Sequence, residues 1–165
     1  MTKTIIGIDP GMSGGIAFIY DDGVPPSCYK MPETDLDLFD LIDTTVGFDN
    51  PTAAFIEKVN AGPKMGSSAS FKFGQNVGAI RMACLAAGVR IEYVSPQKWQ
   101  KEFGLIVRGR GLGQDDTSKK NRNKARAQEL FPGVKITHAI ADCLLIAEYG
   151  RRQQLTPDPE PSDDK

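Results

Sequence analysis

The hydrophobic residues of this chain fall into two patterns, short β-branched runs and longer stretches with helical spacing. Short apolar runs bounded by turn residues predict strands. They occupy residues 4–9, 16–20, 27–31, 53–57 and 89–94. The periodic stretches predict helices whose first or capping residues are Thr34, Ala69, Ser95, Ser118 and Thr137. Three strands followed by alternating helices and strands predict an α/β protein, with a mixed central β-sheet flanked by α-helices.

The length and local composition indicate one domain followed by a tail. A chain of 165 residues is long enough to bury a single core, and we assign residues 1–152 to this domain. Its last helix is expected to end near Gly150. Residues 153–165 alternate prolines with acidic residues, which predicts a disordered acidic tail. Residues 104–117 contain four glycines and two arginines with little periodicity, which predicts a mobile loop.

The composition argues against several protein classes. No apolar stretch is long enough to span a bilayer, and the first residues do not form a secretory signal. We therefore expect a cytoplasmic protein with no membrane partner. The three cysteines, Cys28, Cys84 and Cys143, are odd in number and far apart, so neither a disulfide framework nor a structural zinc site is expected.

The distribution of charge is more informative than the net charge of −1. Residues 98–126 carry nine lysines and arginines but only three acidic residues, whereas the last eleven residues have a net charge of −3. A basic segment on a nearly neutral chain fits binding to nucleic acid phosphates. A solvated helix face explains the same pattern equally well, so charge alone leaves both interpretations open.

Three acidic residues occupy positions where they can meet. Asp9 and Glu57 each end a predicted strand, and Asp142 lies in the first turns of the last predicted helix. Clustered carboxylates repel one another unless a cation neutralises them, and such hard oxygen ligands suit Mg²⁺ or Mn²⁺. Two such ions in one site can activate a water and stabilise the leaving oxygen of a phosphodiester. Taken singly, Asp9 is also explained as a turn residue before Pro-Gly, and Glu57 as a surface charge.

His138 is the only histidine in the chain and lies four residues before Asp142, which places both on one helix face if the helix covers them. It can ligate a metal, orient a water or protonate a leaving group. The alternative is a solvent-facing histidine at the helix start.

Six segments, in order along the chain, resemble the RuvC-like Holliday junction resolvases, particularly phage-type members. The first, residues 5–17, reads IIGIDPGMSGGIA, and the resemblance extends over residues 4–152. The other five segments are residues 55–59 (FIEKV), 71–75 (FKFGQ), 94–99 (VSPQKW), 130–132 (LFP) and 141–152 (ADCLLIAEYGRR).

This resemblance implies an RNase H-like fold, a homodimer, and Mg²⁺-dependent nicking of Holliday junctions. Flaps and forks are further branched DNA substrates to be expected of such an enzyme. The resemblance places Asp9, Glu57 and Asp142 at the family's catalytic and metal-binding acids, with two Mg²⁺ ions per site and Mn²⁺ as a substitute. It also implies that the helix after Glu57 packs in the dimer interface. For a phage-encoded protein, the compartment would be the cytoplasm of the bacterial host.

Two positions depart from the family pattern. The family has a further acid or a histidine one turn before its last acid, and the residue three positions before Asp142 is Ala139. His138 is the available substitute as a catalytic and metal-binding residue. Bacterial members carry an aromatic wedge three residues after the glutamate, where this chain has Asn60. Met65 and Phe71 are the apolar candidates to replace it, although Phe71 also fits a helix core.

Basic side chains near the acids and along the basic segment are the predicted DNA contacts, because lysine and arginine neutralise phosphates without reading sequence. These residues are Lys58, Lys64, Lys72, Lys98, Lys101, Arg108, Arg110, Lys119, Lys120, Arg122 and Lys124. Trp99 either stacks on a base or, as is more usual for a lone tryptophan in a short helix, anchors the packing.

Other functions fit the sequence less well. The Asp-Pro-Gly-x-Ser-Gly-Gly turn is similar to the phosphate hairpin of actin-like ATPases, but those proteins need two such domains and more than twice this length, so no nucleotide cofactor is expected. An RNA-processing nuclease of the same fold would differ only in substrate. A catalytically inactive branched-DNA-binding protein would have no reason to keep three acids that repel phosphate.

Overall fold

A computed structural model describes residues 3–47, 52–60, 62, 65–106 and 116–155. Within these residues the chain forms a five-stranded sheet in the order β3-β2-β1-β4-β5. The strands are β1 (Thr4–Asp9), β2 (Gly15–Tyr20), β3 (Ser27–Lys30), β4 (Thr52–Glu57) and β5 (Arg90–Val94). The helices are α1 (Asp35–Val46), α2 (Ser67–Ala86), α3 (Pro96–Glu102), α4 (Asp116–Leu130) and α5 (His138–Leu155).

The sheet is mixed. Strands β1, β2 and β3 form an antiparallel meander, whereas β1, β4 and β5 are parallel to one another. Each parallel pair of strands needs a crossover connection, which usually contains a helix. Helix α1 lies in the connection that leads to β4, and helix α2 lies in the connection between β4 and β5. The predicted mixed sheet flanked by helices is therefore confirmed.

Each face of the sheet is covered by its own hydrophobic core. On one face, α1 and α2 pack against Ile6, Ile8 and Ile56. On the other, α3, α4 and α5 pack against residues such as Ile5 and Phe55. Successive residues of a strand point to opposite faces, so strands buried on both sides are the nearly continuous apolar runs that the sequence contains.

Helix α5 lies unusually close to the sheet. A Cβ atom added at Gly7 of β1 would overlap the backbone of Cys143 and Ala147 in α5. A Cβ atom at Gly15 of β2 would lie 2.9 Å from the carbonyl oxygen of Ala139, also in α5. Glycine at both positions therefore allows the helix backbone to rest directly on the strands.

Most predicted element boundaries agree with the structure within two residues, and two require correction. The helix predicted to start after Ser118 begins at Asp116, and the last helix runs to Leu155 rather than ending near Gly150. Residues 153–155, assigned to the tail from sequence, therefore form the final turn of α5. Gly150 lies within this helix and packs directly against the ring of Phe55, where a side chain would not fit.

Some predictions fall on residues outside the described part of the chain. The rest of the tail, residues 156–165, is among them, as is the loop prediction at residues 107–115. The three cysteines are free thiols, with Cys84 and Cys143 buried among apolar neighbours. Among the described residues, every helix is too short or too polar to cross a membrane.

Replacing Gly7 with alanine should destabilise the protein by about 3 kcal/mol, because overpacking against a helix backbone cannot be relieved by a side-chain rotation. The measurement is the free energy of unfolding in denaturant. Gly133→Ala is the matched control, since a Cβ at position 133 meets nothing within 4 Å. Equal stability of the two variants would contradict the close packing of α5 on β1.

Candidate functional site

Asp9 and Glu57 end two adjacent parallel strands. Strands β1 and β4 pair in parallel, with Ile8 opposite Ile56, so the next residue of each strand lies at the same edge of the sheet. The side chains of both acids are partly buried. The prediction that these two strand-end carboxylates meet is therefore consistent with the strand register.

Asp142 approaches the same edge from above the sheet. It lies in the second turn of α5, one residue before Cys143, whose sulfur would lie 3.2 Å from a Cβ at Gly15. Because α5 rests on β2 next to the turn that follows Asp9, the carboxylate of Asp142 reaches both strand-end acids electrostatically.

Burial raises the pKa of all three acids, and repulsion by neighbouring carboxylates adds to the rise at Asp9 and Glu57. Burial raises the pKa of Asp9 to about 8, and the negative charges of Asp142 and Glu57 contribute to this rise. Burial, followed by the charge of Asp142, raises the pKa of Glu57 to about 7. The pKa of Asp142 is also raised, chiefly by burial. An arrangement that disfavours the ionised form of three neighbouring carboxylates is typical of a functional site.

The chemistry of these donors fits a divalent cation, which would remove both the repulsion and part of the desolvation cost. In the described residues, however, no three Asp, Glu, His or Cys side chains are already arranged around a single ion position. Carboxylates that repel one another would have to turn toward a bound ion. Asp9, Glu57 and Asp142 are the residues that would hold it.

Two asparagines support the site. The side-chain oxygen of Asn76 in α2 accepts a hydrogen bond from the backbone N–H of Gly11 at 2.8 Å, which ties the turn after Asp9 to that helix. The side chain of Asn123 in α4 donates a hydrogen bond to Oδ1 of Asp142 at 2.8 Å. Sequence reasoning missed both, because a polar residue within a helix is normally interpreted as facing solvent.

Lys119 and Lys120 bring positive charge to the acids. Both are exposed in the first turns of α4, and both lower the pKa of Asp9 and of Asp142. Lys119 also lowers the pKa of Glu57. These two lysines are therefore the predicted DNA contacts that the structure brings to the carboxylates.

The remaining predicted DNA contacts lie further along the surface or outside the described residues. Exposed side chains are found at Lys58, Lys72, Lys98 and Lys101, and partly buried ones at Arg122 and Lys124. Lys64, Arg108 and Arg110 lie outside the described residues. The role of the whole set in DNA binding remains a prediction.

His138 is the first residue of α5 and is exposed. Its charge lowers the pKa of Asp142, one turn further along the helix, so the two side chains are within electrostatic reach. Ala139, at the position of the family's further acid, is partly buried. The catalytic and metal-binding roles of His138 remain predictions.

Trp99 is a packing residue. Its ring is fully buried in the core beneath α5, so stacking on a base is excluded. Among the described residues, the indole N–H has no acceptor at normal hydrogen-bond distance, yet it lies close enough to Glu57 to lower the pKa of that acid. Helix α3, which carries Trp99, is tied to α5 by an ion pair between Glu102 and Arg152 at 3.2 Å.

Both apolar wedge candidates from the sequence, Met65 and Phe71, have exposed side chains. Phe71 does not belong to the helix core, since it is 69% exposed on α2. Met65 is 37% exposed and Asn60 is also exposed. Met12, in the turn after Asp9, is a further exposed apolar side chain that sequence reasoning did not consider.

Comparison with known proteins identifies the fold. No protein-family model and no curated protein sequence matches the chain. Among solved structures it is similar to Thermus thermophilus RuvC in complex with a Holliday junction substrate. The TM-score is 0.59 at 16% sequence identity, covering 93% of this chain and 98% of that one. A second Thermus thermophilus RuvC structure has a TM-score of 0.59 at 18% identity, with coverage of 93% and 97%.

The chain therefore has the RNase H-like fold seen in RuvC structures. This confirms the fold expected from the six sequence segments. The similarity extends over nearly the full length of both chains, so the whole RuvC architecture is represented.

The raised pKa values predict how stability depends on pH when divalent cations are absent. A carboxyl whose pKa rises from 3.8 to about 8 on folding contributes stability below the lower value. This stability is lost as the pH rises through the folded value. Asp9→Asn should therefore raise the free energy of unfolding in EDTA at pH 8 but not at pH 4, by at least about 1 kcal/mol, close to the equivalent of one pKa unit.

The exposed Asp43 in α1 provides the control, because Asp43→Asn removes a carboxylate outside the site. Thermal unfolding between pH 4 and pH 8 measures the effect. If thermal stability changed with pH in the same way in the wild type and in Asp9→Asn, Asp9 would not be held in a repulsive cluster.

Proposed function

We propose that this chain is a RuvC-like, structure-selective DNA endonuclease that nicks Holliday junctions in a divalent-metal-dependent reaction. The observation that carries the proposal is the meeting of Asp9, Glu57 and Asp142 at one edge of the sheet. These are the three acids that the family resemblance assigns to catalysis, and they come from three separate segments of the chain. Flaps and forks are the other branched substrates to test.

In this proposal, the three carboxylates bind the metal ions that the reaction needs. Mg²⁺ or Mn²⁺, as two ions in one site, would supply an activated water and neutralise the leaving oxygen of the phosphodiester. Asp9 and Glu57 provide ligands from rigid strand ends, and Asp142 provides one from the helix above them. In this proposal His138, exposed one turn before Asp142, orients the water or carries a proton. Hydrolysis would leave 5′-phosphate and 3′-hydroxyl ends.

Helix α4 supports the DNA-binding part of the proposal. Lys119 and Lys120 are exposed beside the acids, so their positive charge offsets the repulsion between the carboxylates and the DNA backbone. The exposed Lys58 follows Glu57 directly, and Lys72 lies in the first turns of α2. Such contacts position a phosphate without specifying a base.

The homodimer interface in this proposal is an exposed apolar face of helix α2. Phe71, Met82 and Leu85 are 69%, 61% and 52% exposed, and their spacing places them on one side of the helix. Gly78 lies on the same side with open space beside it. The opposite side, including Ile80 and Cys84, is buried against this chain's own sheet. This buried side belongs to the internal core, and the proposed interface is the exposed face of the helix.

The main alternative is a branched-DNA-binding protein without activity, or a nuclease of the same fold that processes RNA. Nothing in the described residues favours RNA over DNA. The retained acids, with their raised pKa values, argue against a pure binding role because each adds repulsion toward phosphate and reduces stability.

Asp9→Asn and Asp142→Asn should each reduce nicking of a four-way junction in Mg²⁺ by more than about 100-fold. Loss of an outer-shell group at a metal site costs up to about 100-fold, and loss of a direct ligand should cost more. Binding of the same junction in EDTA should be unchanged or tighter, since a negative charge has been removed. The measurements are denaturing gel analysis of labelled strands and a parallel binding titration.

Asp43→Asn serves as the matched control and should nick like the wild type. If the site variants lost binding together with nicking, the assignment of these acids to catalysis would be wrong. Junction binding by a wild-type protein that cuts nothing in Mg²⁺ or Mn²⁺ would favour the inactive binder.

Met82→Glu should convert the proposed dimer to a monomer, because it would bury an unpaired carboxylate in the apolar interface. Sedimentation velocity measures the change. Val24→Glu alters an exposed apolar side chain in the connection between β2 and β3 and should leave the dimer intact. A wild type that sediments as a monomer at micromolar concentration would contradict the proposed interface.

A further inference from the structure

Asn123 is a polar residue on the buried side of helix α4. The polar and charged residues around it, such as Lys119, Lys120 and Asn121, are exposed, but Asn123 itself is only 2% exposed. Ala127, one turn later on the same side, is fully buried against the core beneath α5. An apolar residue at position 123 would continue this packing face.

A buried amide is costly unless it is hydrogen-bonded, so its partner indicates its purpose. The partner is Oδ1 of Asp142, at 2.8 Å. This bond joins α4 to the one site acid that is carried by a helix rather than by a strand end. A hydrogen bond to one carboxylate oxygen restricts rotation of the group about its Cβ–Cγ bond.

The same contact fixes where α4 docks. Lys119 lies four residues before Asn123 and therefore one turn away along the same side of the helix. Its charge reaches Asp9, Glu57 and Asp142. Anchoring Asn123 on Asp142 thus sets both the orientation of a carboxylate and the position of the neighbouring lysine.

We propose that Asn123 is a positioning residue of the site, which orients the Asp142 carboxylate for a divalent cation through its side-chain hydrogen bond. The inference rests on the proposed function in that it takes Asp142 as a metal ligand. It adds a residue that acts through Asp142 and does not itself contact metal or DNA. Outer-shell partners of this kind typically contribute 10- to 100-fold to metal affinity or activity.

The test compares Mn²⁺ binding by the full-length wild type with that of Asn123→Leu, which keeps a similar volume but has no donor. Loss of the free Mn²⁺ signal in electron paramagnetic resonance reports binding without any need for cleavage. We expect Mn²⁺ affinity to fall by about 10-fold or more. A cooperative thermal unfolding transition in EDTA shows that the variant is folded.

Two further variants separate positioning from packing. Asn123→Gln keeps an amide donor and should recover part of the Mn²⁺ affinity, whereas a role in packing alone predicts no such recovery. Asn121→Ala removes an exposed asparagine from the same helix and should bind Mn²⁺ like the wild type. If Asn123→Leu does not fold, Asn123→Ala takes its place in the comparison.

The outcomes distinguish this proposal from the proposed function. Wild-type Mn²⁺ affinity in Asn123→Leu, with junction nicking by the wild-type protein, would overturn the role of Asn123 and leave the nuclease in place. Loss of Mn²⁺ affinity in that variant, with no nicking of any branched DNA by the wild type, would support Asn123 and overturn the nuclease. A wild type that binds no Mn²⁺ would overturn both.

Discussion

The close approach of α5 to strands β1 and β2 is the constraint on which the rest of the site depends. Gly7 and Gly15 have no side chains to hold the helix away, and the backbone of α5 occupies the space that a Cβ would need. At ordinary helix-to-sheet distance, Asp142 would lie further from the strand-end acids. The contact that builds the core on this face therefore also brings together the charges of the site.

Bringing these charges together reduces stability. Burial and repulsion raise the pKa of Asp9 to about 8 and that of Glu57 to about 7, so ionising these carboxyls near neutral pH costs the folded protein stability that the unfolded chain does not lose. The surrounding residues reduce this cost only in part. Asn123 donates a hydrogen bond to Asp142, and Lys119 and Lys120 add positive charge. A site that is unfavourable by itself and favourable with a cation is a common feature of proteins whose function requires the ion.

Much of the fold could be predicted from the sequence because its strands are continuous apolar runs and its helices have clear periodicity. The meeting of the strand-end acids was also predictable, since the carboxyl ends of adjacent parallel strands share an edge.

The predictions that were wrong also have physical causes. Gly150 indicates a helix end by composition alone, but close packing against Phe55 keeps it within α5. Phe71 fits a core residue by type but is exposed, and Asn123 fits a surface residue by type but is buried. In all three cases tertiary contacts decide, and a single sequence does not contain them.

Anomalous scattering of Mn²⁺ in crystals of the wild-type protein tests most directly whether the packing of α5 on Gly7 and Gly15 creates a divalent cation site. We expect anomalous density within coordination distance of Asp9, Glu57 and Asp142, with their carboxylates turned toward it. Mn²⁺ bound elsewhere, or an acid cluster that stays empty at millimolar Mn²⁺, would contradict this expectation.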